Sequence, residues 1–311
     1  MPITHRQYAG PDDYRRIGEF LIRHYQEDNQ DGNWFQPTWE YMDSLSFPDK
    51  TALDKIRIWE DADEIVAVVH FESRLGEVFF QLHPDHHNLK REMLDYAEMY
   101  LLGSISDDRL VIQAYVNDFD DTLRNLVMKR GYTLKMDWSR PVSQFVIPDR
   151  FLPIHVPDGF VLKSLAEDNN LIKLDRVLHR GFNHEGEPDG SGIEGRKIAQ
   201  STPNYDKNLK IVVQAPDGYF VSFCGMWYEP VNKIAYVEPV ATDPEYRRKG
   251  LGRAAVWEGI RRCGLMGAKV AYVGSDLEFY KAIGFKVIYT SQCWVKYFPK
   301  DVTRMCPEAY T

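Results

Sequence analysis

The chain has 311 residues, enough for two domains of ordinary size, each with its own core. Its 46 acidic against 38 basic side chains leave a formal charge of -8, which argues against nucleic-acid binding, because that binding leans on Lys and Arg neutralising phosphates. With 44% hydrophobic and 27% charged residues the composition is that of a soluble globular protein, and no stretch approaches the roughly 18 apolar residues of a membrane span.

A short strand is expected at Ile3–Tyr8. A helix follows from Asp12 to about Tyr25, with Ile17, Phe20, Leu21 and Tyr25 at helical spacing. Trp34, Phe35, Trp39 and Tyr41 fall in a loop-rich stretch, and the runs Ile56–Trp59 and Ile65–Phe71 read as strands. Glu77–Leu82 leads through His83-Pro84-Asp85 into a helix that ends at Leu101. After the strand Arg109–Val116, a short helix closes on Gly131-Tyr132, and Thr133–Trp138 is the last strand of this half. The segment Ile147–Pro157, punctuated by Pro148, Pro153 and Pro157, lacks periodicity and marks a boundary, giving domains at 1–150 and 151–311.

The same order then repeats. Strand Phe160–Leu165 and a helix from about Glu167 to Phe182 precede strands at Lys210–Gln214 and Tyr219–Tyr228. Ile234–Ala241 leads through Asp243-Pro244-Glu245 into a helix reaching Cys263. Next come strand Lys269–Val273, a short helix closed by Gly284-Phe285, and a terminal strand at Lys286–Lys296. Pairing Pro84 with Pro244 gives an offset of 160, and pairing Gly131 with Gly284 gives 153, so the halves read as an old duplication with a length change. The expected fold class is α/β, of the mixed α+β kind: two domains, each a largely antiparallel sheet flanked by helices.

Cys224, Cys263, Cys293 and Cys306 have neither metal-ligand nor CxxC spacing, and the opening MPITHRQYAG lacks the basic-then-apolar order of a secretory signal. A reducing cytoplasm is the expected location. His70 and the pair His86-His87 lack a third ligand at sensible spacing, so no metal is expected.

The informative segment runs from Glu238 to Arg253. An apolar strand enters a turn rich in Arg and Gly, and a helix begins at once. Arg247, Gly250 and Gly252 fit Arg-x-x-Gly-x-Gly. Glycines let the backbone approach a ligand, and the unpaired N–H groups of a first helical turn, with the helix dipole, suit a pyrophosphate. Arg247, Arg248, Lys249 and Arg253 add charge-assisted contacts. A Walker A loop is excluded by the missing Gly-Lys-Ser/Thr. A dinucleotide fingerprint is disfavoured because Ala255 stands where its third glycine belongs. A solvated helix start remains the alternative reading of the turn taken alone.

This segment resembles the acetyl-CoA-binding motif of the GNAT superfamily of N-acetyltransferases, and Phe279-Tyr280-Lys281-Ala282-Ile283-Gly284-Phe285 resembles that family's next motif. The resemblance covers residues 159–298 and extends in weaker form to 1–150, which implies a tandem GNAT architecture. It implies that backbone groups of Val240, Ala241 and Thr242 hold the pantetheine arm, that Arg247 to Arg253, including Leu251, form the pyrophosphate turn, and that Tyr280 is the general acid. Many members have an Asn seven residues before this Tyr. Here that position is Val273, so the contact is expected to pass to Ser275 or Asp276, or to be missing.

Acetyl transfer needs a neutral amine, a polarised thioester carbonyl and a proton for the departing thiolate. The Ala241 N–H is expected to polarise the carbonyl, and Tyr280 to protonate the CoA sulfur, the alternative for Tyr280 being a core aromatic. Glu238 is the candidate base, placed by a period of two on one face with Val240 and Thr242; a substrate-binding anion or an edge-exposed Glu is the alternative. His184 and the run to Glu194 belong to the region that shapes the acceptor pocket in the family. There Glu185, Glu187, Asp189 and Glu194 are candidates to attract a cationic amine, against the reading of a solvated loop.

In the first half the places of Arg247, Gly250, Gly252 and Tyr280 hold His87, Lys90, Glu92 and Val127. That half is therefore expected to keep the fold without binding acetyl-CoA, and its aromatic stretch is a candidate wall for the acceptor site. The expected activity is acetyl transfer from acetyl-CoA to a primary amine of a small acceptor, by direct attack and without a metal. No nucleic acid or membrane is expected as a partner, and an oligomer is left open. The rival is a non-catalytic acyl-CoA sensor using the same turn.

Overall fold

The computed structural model describes residues 2–45, 49–106 and 108–300; Cys306 lies outside them. In chain order the elements are β1 (Thr4–Gln7), α1 (Pro11–His24), α2 (Gln36–Ser44), β2 (Arg57–Asp61), β3 (Glu64–His70), β4 (Glu77–Leu82), α3 (Lys90–Tyr100), β5 (Gly103–Ser104), β6 (Arg109–Asn117), α4 (Asp121–Lys129) and β7 (Thr133–Val146). The second half supplies β8 (Val161–Ser164), α5 (Leu171–Gly181), α6 (Gly192–Gln200), β9 (Lys210–Gln214), β10 (Phe220–Glu229), β11 (Ile234–Thr242), α7 (Leu251–Leu265), β12 (Val270–Val273), α8 (Glu278–Ile283) and β13 (Lys286–Pro299). Two mixed α/β units of the same plan result.

Neither unit is contiguous in sequence. Of the described residues, one unit gathers those within 2–36, 49–142 and 287–300, the other those within 37–45 and 143–286. The sequence suggested a cut near residue 150; the compact units instead change hands inside β7 and β13. The physical reason is strand pairing. Within the first unit β13 lies antiparallel to β6, with Trp294 opposite Ala114, and within the second the Ser143–Val146 end of β7 lies antiparallel to β12.

In the first unit the strands run β1-β2-β3-β4-β6-β13, with β5 on the edge of β6. Pairing is antiparallel except between β4 and β6, which are parallel over Glu77–Val78 and Gln113–Ala114. α1 and α3 lie against β3. α1 is set by Pro11 in its first turn, acidic Asp12 and Asp13 beside it and basic Arg23 and His24 at its end, the order the helix dipole favours.

In the second unit the order is β12-β11-β10-β9-β8. α7 packs on one face through Ala255, Val256 and Ile260 against Val221, Cys224, Met226 and Val237. α5 covers the other through Leu174, Val177 and Leu178 against Val212, Phe220, Phe223 and Ala241. The stretch containing Trp39 and Tyr41, expected to be loop-rich, is the helix α2, and these two residues belong to this unit. Its Glu40 accepts the Asn204 N–H at 2.6 Å, and Tyr41 meets Trp227 edge-on at 6.1 Å.

Lys210 opens β9 fully buried, its ammonium 3.6 Å over Trp227, 4.6 Å over Tyr205, and donating to the Met226 carbonyl at 2.6 Å. Burial lowers its pKa from 10.5 to about 7, against small opposing pulls from Cys263, Cys224, Glu40 and Asp206. Native Lys210 thus releases its proton near pH 7 while an unfolded lysine keeps it to about 10.5. The unfolded state binds more protons throughout that window, so stability rises with pH across it, by at most about 1.4 kcal/mol per pH unit. Urea melts at several pH values between 7 and 10 are expected to show this rise in the wild type relative to Lys210→Met. Parallel profiles for the two proteins would contradict it.

Candidate functional site

The second unit's site starts from a strand that leaves its neighbour. β11 pairs with β12 only over Ile234–Tyr236 and Val270–Tyr272, and beyond that point the two part. On its other side β11 stays paired with β10, but the register skips between Met226↔Val237 and Cys224↔Val240. Gly225 sits opposite the extra residues, and a Cβ there would lie 2.4 Å from the Glu238 carbonyl oxygen, so the irregularity requires glycine.

The ladder fixes which backbone groups face the opening. The Asp243 N–H donates to the Val221 carbonyl at 3.0 Å, so Asp243 and Val221 form a hydrogen-bonded pair. Alternation then makes Ala241 and Phe223 hydrogen-bonded partners and turns the N–H and C=O of Val240 and Thr242 away from β10. The Ala241 N–H, expected to polarise the carbonyl, faces β10. Among the described residues no side chain takes the Thr242 N–H, and the Thr242 carbonyl accepts from Arg247 Nε at 3.1 Å.

The skip also corrects the placement of Glu238. Val237 and Val240, three residues apart, both pack into the cluster under α7, so a period of two does not carry from Glu238 to Val240. Glu238 is half-buried, and its carbonyl accepts the Trp227 indole N–H at 2.9 Å.

After β11 the chain makes a tight turn at Pro244–Tyr246, then Arg248 (φ 64) and Gly250 (φ 80) enter the left-handed region and α7 begins. Gly250 is the residue before the helix, and no side chain caps the helix start. Gly252 is buried in the first turn, where a Cβ would come 3.0 Å from Thr242 Oγ1 and 3.4 Å from the Phe279 ring. Its lack of a side chain brings the helix start against the end of β11. Leu251 is buried in the core and presents only backbone to the turn.

The basic residues divide into two groups. Arg247 spends its guanidinium on the protein itself, donating to the carbonyls of Thr242 and Gly181 and to Asn183 Oδ1. Arg248, Lys249 and Arg253 are exposed, with Lys249 4.8 Å over the Tyr246 ring and Arg253 5.2 Å over Trp257.

Tyr280 on α8 is buried in the same cluster, and the Trp257 indole N–H, donating to the Ile283 carbonyl at 3.2 Å, ties α8 to α7. Burial, then the proximity of Cys224 and Glu238, raises the Tyr280 phenol far above the ordinary tyrosine value, so it stays protonated. Two candidates 42 positions apart in the chain are therefore within electrostatic reach of each other. Ser275 is used locally: its Oγ accepts the Leu277 N–H at 3.2 Å and its carbonyl accepts from Ser143 at 2.6 Å. Asp276 is exposed.

Beneath the turn lies a brace that no sequence motif marked. Asp243 is completely buried and accepts from Arg180 at 2.5 Å and from the Glu245 N–H at 3.1 Å, with Arg176 at 3.6 Å. Burial acts to raise its pKa, but these hydrogen bonds and charges together hold it below the usual carboxylate range. The available signal was the i, i+4 pair Arg176 and Arg180 at the end of α5. Both also grip Glu187, so the charge proposed there for an amine is already neutralised. Beside them lies a cleft of about 390 Å³ lined by Asp175, His179, Phe182, His184, Glu185 and Asp189 among others. Asp175 pairs with Arg196, Glu194 with Lys197, and Asp189 accepts the Ser191 N–H.

His70 is fully buried, hydrogen-bonded to Gln81 at 2.8 Å and the Phe71 carbonyl at 3.0 Å, and His86 lies edge-on to His83. Among the described residues no group of three His, Cys, Asp or Glu is arranged to hold a metal, and no helix is long and apolar enough to cross a membrane.

Residues 180–285 match the family model described as acetyltransferase (GNAT) family. No curated protein sequence matches that of the chain. Among solved structures the chain is similar to a GCN5-related N-acetyltransferase from Sphaerobacter thermophilus, at 15% identity and a TM-score of 0.64 over 96% of each chain. It is similar to a tandem GNAT protein from the clavulanic acid biosynthesis pathway, at 12% identity and 0.61 over 95% of this chain and 98% of that one. It also resembles an N-myristoyltransferase from Saccharomyces cerevisiae, at 12% identity and 0.53 over 96% and 82%. The chain thus has the tandem GNAT fold, and its residues 180–285 match the GNAT acetyltransferase family model.

Proposed function

We propose that the second unit binds acetyl-CoA along the open edge of β11 and transfers its acetyl group to a primary amine of a small acceptor by direct attack. The observation that carries this reading is the uncapped start of α7 at Gly250–Gly252, adjoining outward backbone groups at Val240 and Thr242. Free amides at a helix start suit a diphosphate, and a strand edge suits the amide-bearing arm that follows it. In this reading the diphosphate contacts come from those amides with Arg248, Lys249 and Arg253. Arg247 and the Arg180–Asp243 pair hold the turn in shape. Val240 and Thr242 meet the arm, while Ala241 supports them from the β10 side. The contact expected after β12 falls in this reading to Ser275 or Asp276.

Bound acetyl-CoA supplies an activated thioester. Glu238 accepts the proton that the amine nitrogen must lose, and Tyr280 donates its phenolic proton to the departing sulfur. The raised pKa of Tyr280 keeps that proton in place until a thiolate forms. The first unit is proposed to serve as a scaffold without its own acetyl-CoA, and a cytoplasmic location fits the reduced cysteines Cys224, Cys263 and Cys293.

Two variants test this. Gly250→Glu places a carboxylate and a left-handed strain at the helix start, and is expected to weaken acetyl-CoA binding at least ~100-fold, or about 2.8 kcal/mol. Unchanged affinity would remove the site. Tyr280→Phe is expected to lower kcat by roughly 10²–10⁴-fold in an amine screen for CoA release while leaving acetyl-CoA affinity in place. A variant as active as the wild type would exclude Tyr280 as the acid, and a wild type that binds without turnover would make the protein a sensor.

A further inference from the structure

The same strand edge exists in the first unit, and there it is filled. β4 corresponds to β11: the His83 N–H donates to the Val66 carbonyl as that of Asp243 does to Val221, and His83 accepts the Asp85 N–H as Asp243 accepts that of Glu245. By the same alternation, the N–H and C=O of Leu82 point away from β3, as those of Thr242 point away from β10. β4 also leaves its parallel neighbour early, pairing with β6 only over Glu77–Val78.

Into this gap the chain inserts residues 29–34. The Asn33 carboxamide satisfies both outward groups of Leu82 at once: Oδ1 accepts the Leu82 N–H at 2.6 Å and Nδ2 donates to the Leu82 carbonyl at 3.1 Å. Three further carboxamides pin the segment. Gln81 Oε1 accepts the Trp34 N–H at 2.7 Å, Asn117 donates to the Gly32 carbonyl at 2.7 Å, and Asn29 donates to the Asn33 carbonyl at 2.9 Å and to Tyr289 at 2.7 Å. Asn29 and Asn33 are almost wholly buried, and the segment enters through left-handed Asp28 and Asn29, so it is a built feature of the unit. The turn is filled as well. Lys90, at the place of Gly250, is buried and pairs with Asp120 at 2.7 Å, and Glu92, at the place of Gly252, accepts the Trp59 indole N–H at 2.7 Å.

We propose that residues 29–34 are an internal ligand, with the Asn33 amide occupying in the first unit the strand edge that the second unit leaves open for the amide-bearing arm of acyl-CoA. The comparison rests on the reading of the second unit as the acyl-CoA site. The chain then takes one acyl-CoA, and the first unit is closed to it by its own backbone partner and by two charged side chains in the turn.

Two measurements on the full chain test this. Calorimetric titration with acetyl-CoA is expected to give one site per chain, weakened at least ~100-fold in Gly250→Glu. Two sites, or a site of wild-type affinity in Gly250→Glu, would overturn the proposal. Amide exchange at Leu82 is expected to be slow, unaltered by saturating acetyl-CoA, and at least ~10-fold faster in Asn33→Ala, with β2 and β3 amides as the control for folding. A Leu82 amide that exchanges equally in both proteins, or that acetyl-CoA protects further, would also overturn it. If the wild type binds no acetyl-CoA at all, the reading of the second unit fails, and Leu82 exchange still decides whether Asn33 holds this edge.

Discussion

The site depends on one parting of strands. β11 runs beside β12 for three residues and then leaves it, while β10 holds its other side. A strand freed on one side still has outward N–H and C=O groups, and these need water or a partner. Each nearby special residue serves that geometry. Gly225 admits the irregular register, Gly252 lets the helix start close on the strand end, and Gly250 takes the left-handed turn between them. The result is a run of unpaired backbone donors, from a strand edge to a helix start, beside exposed cations.

The two units resolve the same edge in two ways. Both units keep the residue after the strand paired to the sheet, and both use that residue's side chain to hold the following turn. The second unit invests a buried carboxylate braced by Arg180, which keeps the turn rigid without entering it. The first unit has His83 at that place and covers the strand edge with a side-chain amide. A fold can thus be preserved while an open strand edge is satisfied from within, because a carboxamide offers the same donor and acceptor as a peptide unit.

Much of this was legible in the sequence. The duplicated order of elements, the basic Gly-x-Gly turn after an apolar strand and the Phe-Tyr motif before Gly284 all lie in local patterns that periodicity and turn chemistry expose. What stayed hidden was set by register and by long-range pairing. A bulge opposite Gly225 shifts Glu238 against Val240, and the local signal for it, Pro239 inside the strand, does not say which residues slip. Whether Ala241 or its neighbours face the opening depends on which pairs of a ladder are hydrogen-bonded. Arg247 looked like a phosphate ligand, yet its partners Gly181 and Asn183 lie more than sixty residues away. The helix α2 was obscured because Trp39, Tyr41 and Met42 are crowded rather than set at helical spacing.

The central claim is that the backbone from Val240 to Gly252 in the second unit is where acyl-CoA rests. Titrating the isotope-labelled protein with CoA while following backbone amide resonances tests it directly. The account predicts that the largest shifts fall on Val240, Thr242, Gly250, Leu251 and Gly252, with Leu82 and Lys90 unmoved. Shifts centred on the first unit, or resonances of the Gly250 turn that stay still at saturation, would contradict it.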